Sequence, residues 1–310
     1  MSALAAAVEE YLALRRSLGF ALAGIDGLLG DFVAHLEAAG LDTITTEAAL
    51  AWATKPASAD PSWHAKRLGY VRRFATYLHA LDPRCEVPPE GLLVNRPCRA
   101  KPHLYSDSEV VALMAQARLL TPRLWAATFE TFIGLLSVTG LRPGEALRLD
   151  RSHVDFDAGI LRVLDSKFHD SRELPLHPST VDALDAYARL RDELCSHPTG
   201  PAFFVAANGT RFRHGALNQT FVGLLVGAGL EPPPESGRPR PRPHDFRHSF
   251  ALRSVLGWYR AGADVGALLP SLSTYLGHLN PAATYWYLSA TPELLALAAR
   301  RVHQRQEASR

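Results

Sequence analysis

The sequence predicts a mainly α-helical protein in two lobes, with one small antiparallel β-sheet in the second lobe. Three observations carry this. Apolar residues recur at helical spacing through most of the chain. Three short, partly β-branched runs lie together between residues 153 and 176, separated by turn residues. Pro83, Pro88, Pro89, Pro97 and Pro102 punctuate one stretch and divide the chain there.

The first lobe reads as four helices. Leu4, Val8, Tyr11, Leu12 and Leu14 share a face over residues 3–18, and Gly19 ends that helix. Leu28, Leu29, Phe32, Val33 and Leu36 do the same over 25–39, with Gly40 as the stop. Thr45 or Thr46 can cap a short helix to about Thr54, and Asp60 or Ser62 a longer one to about Leu81. The domain boundaries expected are a helical domain over 1–82, an extended linker over 83–104 and a second domain over 105–310.

The second lobe opens with Ser106 and Glu109, a capping-box pair before a helix to about Leu120. An apolar helix follows over about 124–138, then a glycine turn into a short helix ending near Leu149. Residues 153–156, 160–164 and 173–176 read as the three strands. Helices are expected over about 178–194, 214–227, 243–259, 262–276 and 292–306, with a Pro/Arg/Gly loop over 231–243.

With 47% hydrophobic residues the chain can bury a real core, and a net charge of +2 excludes a histone-like polycation. The three cysteines, Cys85, Cys98 and Cys195, form neither a metal-ligand cluster nor a disulfide framework, which fits a reducing cytosol. Glu9 and Glu10 stand where a signal peptide would continue its apolar run. The longest uncharged stretch, Val265 to Pro292, is broken by Pro270, His278, Asn280 and Pro281 and is no membrane span. The near-neutral total hides an uneven distribution. Lys66, Arg67, Arg72 and Arg73, interleaved with Trp63, Tyr70, Phe74 and Tyr77, stand in a segment without acidic residues. Arg238, Arg240 and Arg242 form another basic stretch. Such stripes are the footprint of phosphate-backbone binding; the plainer reading of each is a solvated face.

Three segments and one lysine then stand out together. Thr139-Gly140-Leu141-Arg142-Pro143-Gly144-Glu145-Ala146-Leu147-Arg148-Leu149 resembles the first arginine box of the tyrosine recombinase (phage integrase) family. Pro243-His244-Asp245-Phe246-Arg247-His248-Ser249-Phe250-Ala251 resembles its His-x-x-Arg box. Leu276-Gly277-His278, with Thr284 and Tyr287 following, resembles its last box, in which the nucleophilic tyrosine stands nine residues after the histidine. Lys167, after the second strand, matches the family's β-hairpin lysine. The resemblance implies an N-terminal helical core-binding (SAM-like) domain and a C-terminal α+β catalytic domain. It also implies a C-shaped clamp on double-stranded DNA, and the strand-exchange reaction, which cuts two duplexes at two positions each, implies a homotetrameric synapse. The helical lobe begins almost at Met1, which favours a simple recombinase without an extra arm-binding domain.

The residue types suit that chemistry. The transition state of a phosphodiester exchange gathers negative charge on the non-bridging oxygens, and arginine offers a permanent charge with a planar fork of donors. Arg142 and Arg247 are the expected clamp. His244 lies three residues before Arg247, on the same helical face, and His278 adds a donor. Tyr287 is the expected nucleophile, giving by resemblance a 3′-phosphotyrosine and a free 5′-hydroxyl. Lys167 is the expected general acid, a role that His169 or Arg172 could share. Glu145 would orient Arg142. Tyr285 and Tyr275 stand as rival nucleophiles, and His248 reads as a packed structural histidine. No metal or cofactor is called for, because the arginines supply the positive charge.

The expected function is a site-specific DNA recombinase, located in the cytoplasm and on the nucleoid when bound to DNA. A DNA-binding accessory protein of the same fold and a type IB topoisomerase-like relaxing enzyme are the alternatives. No Gly-x-Ser-x-Gly, metal-spaced His/Glu pair or phosphate-binding glycine loop supports an unrelated hydrolase.

Overall fold

The computed structural model describes residues 2–278 except 21, 23, 56, 58, 95–100 and 165–170. The chain forms two compact units, Met1–Arg99 and Ala100–Arg310. Among the described residues no helix is long and apolar enough to cross a membrane.

The first unit is built from α1 (Ala3–Ser17), α2 (Ile25–Ala38), α3 (Thr46–Thr54) and α4 (Pro61–His79). Each boundary has a local cause. The Ser2, Thr45 and Asp60 side chains accept the N–H groups of Ala5, Ala48 and Ser62, and Pro61 supplies the preset φ of a first helical residue. The apolar stripes converge on a core of Leu29, Phe32, Leu36, Trp52, Val71 and Phe74, all essentially without exposure.

The stretch expected as a linker from residue 83 is, in its first part, packed on this unit. Cys85 is buried in the same core, with Val87 and Leu93 against it. The Glu86 N–H donates to the Ile44 carbonyl at 2.8 Å, and its carboxylate accepts the Thr46 N–H at 2.7 Å. Prolines lack an N–H but keep their carbonyls, and Arg72 donates to those of Pro88 and Pro89 at 2.7 and 2.8 Å.

The second unit begins with α5 (Asp107–Arg118), which carries the expected capping box of Ser106 and Glu109. Then come α6 (Arg123–Thr139) and the one-turn α7 (Pro143–Leu147). The sheet consists of β1 (Val154–Asp155), β2 (Ile160–Val163) and β3 (Arg172–Pro175), antiparallel in the order β1-β2-β3. Leu161 pairs with Leu174 and Val163 with Arg172. The expected third strand therefore starts one residue earlier, at Arg172. Among the described residues four α-helices follow: α8 (Pro178–Leu194), α9 (His214–Gly227), α10 (Asp245–Arg260) and α11 (Val265–Leu276). α11 starts later than expected because Gly262 takes a left-handed φ of 72° and the Asp264 side chain caps the Ala267 N–H. The helix expected over 292–306 lies outside the described residues.

Between α8 and α9, Ala202 bridges back to Asp150 and Val205 bridges Arg211, a small pairing the sequence did not signal. It carries Phe204 and Phe212 into edge-to-face contact with Phe129 and Phe132 of α6, and Phe203 meets Phe204 in the same way. Arg211 donates to the carbonyls of Leu147 and Leu149 and pairs with Asp150. This fastens the end of α7 to the aromatic core.

Candidate active site

The first arginine box sits in the turn from α6 to α7. Gly140 ends α6 with a φ of 62°, and a Cβ there would lie 2.5 Å from the Phe250 ring of α10. Only glycine meets both conditions. The chain then turns extended at Arg142, and Pro143 opens α7. Glu145, on the next turn, reaches back: its carboxylate accepts the Arg142 N–H at 3.0 Å and the Arg142 guanidinium at 2.6 Å. A second guanidinium nitrogen of Arg142 donates 2.7 Å to the Gly277 carbonyl, just past the end of α11.

Arg247 lies in the first turn of α10 and is 1% exposed. It donates to the Gly140 carbonyl at 3.0 Å and to the Leu276 carbonyl at 2.5 Å. The three boxes, far apart in sequence, are thus joined by two arginines through backbone carbonyls. The His278 N–H donates to the Ser273 carbonyl, which places its ring just beyond the last turn of α11. His244 precedes α10, and its ring meets that of His248 edge-on at 5.2 Å.

Electrostatics follow from this crowding of guanidinium groups. Burial alone would raise the Glu145 carboxyl. Arg172, and after it Arg142, outweigh that and hold its pKa down at about 2. Desolvation, then the charges of Arg247, Arg142 and Arg172, push the His278 imidazole down to about 4. Desolvation and then Arg247 move His244 below its ordinary value. Both imidazoles are accordingly neutral at pH 7, each with one N–H to donate and one nitrogen to accept. Around His278 three guanidinium charges, those of Arg247, Arg142 and Arg172, act against the one carboxylate of Glu145, a balance that favours an added anion beside it.

The structure brings Arg142, Glu145, His244, Arg247 and His278 to one place. Lys167, His169, Tyr285 and Tyr287 lie outside the described residues. Tyr275, the other rival nucleophile, stacks on Phe250 with ring centres 5.6 Å apart, and burial pushes its phenol upward, the reverse of activation.

From the sequence Arg172 stands out only as a residue that could share the role of Lys167. It lies instead in the network, donating to both Glu145 oxygens and to the Tyr275 carbonyl. The strand alternation holds the signal, because Arg172 shares its face with buried Leu174. Asp245 was also missed; 1% exposed, it accepts the Arg242 N–H at 2.9 Å and its guanidinium at 3.3 Å.

The basic stripe of α4 divides. Arg67 lies over the Trp52 ring at 3.7 Å, donates to the Trp52 carbonyl and stands 3.7 Å from Asp31. Arg72 holds the proline carbonyls. Their guanidinium groups are engaged inside the unit, whereas Lys66 and Arg73 are exposed on the same helix as exposed Trp63. In the second basic stretch Arg238 is exposed, Arg240 forms a two-pronged pair with Glu231, and Arg242 pairs with Asp245.

These features can be set beside known proteins. The model of the Phage integrase family matches residues 105–293. A Sinorhizobium fredii protein assigned as an integrase/recombinase, y4rB, is 45% identical over 313 residues, covering 99% of each chain. The tyrosine recombinase XerC of Mycobacterium tuberculosis is 28% identical, covering 98% of this chain and 100% of its own. The solved Tn1549 transposon integrase in complex with transposon right end DNA shares the fold with a TM-score of 0.64 at 15% identity, covering 96% of this chain and 98% of its own. The arginine boxes, the carbonyl-anchored guanidinium pair and a relative alike along its whole length lead to one conclusion: the chain belongs to the phage integrase family, the tyrosine-type site-specific DNA recombinases.

Proposed function

We propose that the protein cuts and rejoins double-stranded DNA at specific sites by transesterification through a 3′-phosphotyrosine, with Tyr287 as nucleophile. The observation that carries this reading is the paired anchoring of Arg142 and Arg247 on the consecutive carbonyls of Gly277 and Leu276. Two forked donors fixed to one rigid turn are preorganised for the two non-bridging oxygens of a phosphodiester. Preorganised donors do not reorient as charge develops on those oxygens.

The Tyr287 phenolic oxygen attacks phosphorus, the bond to the 5′-oxygen breaks, and Lys167 protonates the departing oxygen. His244 and His278, neutral at working pH, donate to the phosphoryl oxygens or carry the tyrosine proton. Rejoining is the reverse, with a 5′-hydroxyl attacking the phosphotyrosine. Glu145 positions Arg142 by holding its N–H and guanidinium together. The arginines supply the compensating charge, so the step needs no metal.

Lys66 and Arg73 on the first unit, and Arg238 near α10, are the proposed contacts to DNA phosphates, which fix position more than sequence choice. Strand exchange requires two duplexes, each cut in both strands, and four protomers in one synapse satisfy that requirement.

The test is direct. The full chain is incubated in EDTA with nicked duplexes from the DNA flanking its gene, and the products are run on a denaturing gel and digested for mass spectrometry. A covalent adduct on the peptide containing Tyr287, with a free 5′-hydroxyl, is the expected product. Salt-sensitive binding without any adduct, or an adduct that EDTA abolishes, contradicts the reading.

A further inference from the structure

The geometry points to Arg172 as a positioning residue for strand cleavage: it fixes Glu145 against Arg142 and ties the return strand of the β2–β3 hairpin to the last turn of α11. This rests on the proposed reading of Arg142 as a phosphate ligand.

Glu145 is saturated. Its side chain is 1% exposed, and its two oxygens accept four donors. Two come from Arg142, its N–H and one guanidinium nitrogen. The other two come from Arg172, at 3.2 and 2.8 Å. Without Arg172 the carboxylate loses half of its partners and is free to turn about its last torsion. Arg142 then keeps a buried acceptor without a fixed direction.

Arg172 also has a second hold. Its Nε–H donates 2.8 Å to the Tyr275 carbonyl in the final turn of α11. The guanidinium passes so close to Gly277 that a Cβ there would lie 2.9 Å from one of its nitrogens. The φ of 65° at Gly277 favours glycine, and a larger residue there would also push the Arg172 guanidinium aside. The carbonyl that Arg142 grips is that of Gly277 itself. Arg172 thus braces both partners of Arg142, the carboxylate on one side and the glycine turn on the other.

The place of Arg172 in the sheet adds a third link. It pairs with Val163 and is the first paired residue after the segment that carries Lys167. The hairpin and the arginine clamp are therefore fastened at one residue.

Single-turnover cleavage of the nicked duplex by saturating full-length protein tests this, for wild type, Arg172→Met, Arg172→Lys, Glu145→Gln and the Arg172→Met/Glu145→Gln pair. Duplex affinity and Tm are measured alongside. A fall of about 100-fold in cleavage rate is expected for Arg172→Met, the cost of losing fixed geometry, with duplex affinity unchanged and partial recovery in Arg172→Lys. The pair should be no slower than the slower single variant, because one residue acts through the other. Multiplying effects, or a rate equal to wild type, overturn the proposal. Lowered Tm with unchanged cleavage at saturation also overturns it, since that marks a merely structural brace. Should Arg172→Met fail to fold, Arg172→Lys against Glu145→Gln carries the same comparison. Broadening of the vanadate NMR signal by the full chain supplies a readout that needs no DNA site, and it should weaken in Arg172→Met. A wild-type chain that neither cleaves nor binds vanadate, or an Arg142→Ala chain that still does both, contradicts the reading of Arg142 itself.

Discussion

Arg142 and Arg247 hold adjacent carbonyls of one turn, those of Gly277 and Leu276, at 2.7 and 2.5 Å. They approach that turn from different elements, Arg142 from the extended residue before α7 and Arg247 from the first turn of α10. Both guanidinium groups gain rigidity from it, and the turn leads directly into His278.

The two arginines should separate in their effects. Arg247 is almost wholly buried and satisfies two buried carbonyls, so Arg247→Lys leaves acceptors unpaired and lowers stability by about 1–3 kcal/mol. The Arg142 side chain is 25% exposed, and Arg142→Lys should leave Tm nearly unchanged. Both variants should lose at least about 100-fold in cleavage, because a lysine cannot present a fork. Thermal denaturation beside single-turnover cleavage checks the split.

Glu145 predicts a particular acid limb. Its folded pKa, about 2, lies below the ordinary 4.5. A depressed carboxylate stabilises the fold fully above the unfolded value, and that contribution is lost as pH falls from about 4.5 towards 2. The shift corresponds to about 3 kcal/mol. Glu145→Gln should be less stable at pH 7 and flatter between pH 4.5 and 2 than wild type. Tm measured against pH gives both; parallel curves would refute the assignment.

The histidines should titrate low. His278 should show an NMR midpoint near 4, and His244 one below 6.5. Depressed histidines favour the fold in their neutral form, so their contribution is present above 6.5 and is lost as pH falls through the folded values. Cleavage should accordingly show no histidine step between pH 7 and 8. A midpoint of His278 above 6 would remove the cationic surroundings argued for it.

The α4 arginines should divide between stability and binding. Arg67→Ala removes a cation–π contact and a carbonyl donor, and Arg72→Ala two carbonyl donors. Each should lower stability by about 1–3 kcal/mol. Lys66→Ala should leave Tm alone and Arg73→Ala, which loses an exposed contact over the Tyr70 ring, should lower it only slightly; both should weaken duplex binding and each reduce the salt-dependence slope by about 1. Fluorescence anisotropy across a salt series distinguishes the pairs.

Much of this was legible in sequence where a local rule decides the outcome. The glycine stop at Gly140, the Ser106–Glu109 capping box and the pairing of the three strands all depend on neighbours a few residues away. The grouping of Arg142, His244, Arg247 and His278 was legible through the resemblance of their three segments to the family's boxes. What escaped is non-local. Nothing near Arg72 says that its partners are the Pro88 and Pro89 carbonyls, and Arg67 looks like a surface charge until Trp52 is placed beneath it. The bridges of residues 202–211 form against the end of α7, a contact across some fifty residues. Arg172 was visible as a basic residue near the hairpin lysine, but its buried partners, Glu145 and the Tyr275 carbonyl, lie on other elements.

The central claim is that Tyr287 forms the bond to DNA. Adduct formation on the nicked duplex in EDTA by wild type, Tyr287→Phe and Tyr285→Phe tests it most directly. The account predicts a covalent complex with wild type and Tyr285→Phe and none with Tyr287→Phe. An adduct that persists in Tyr287→Phe, or disappears only in Tyr285→Phe, would contradict it.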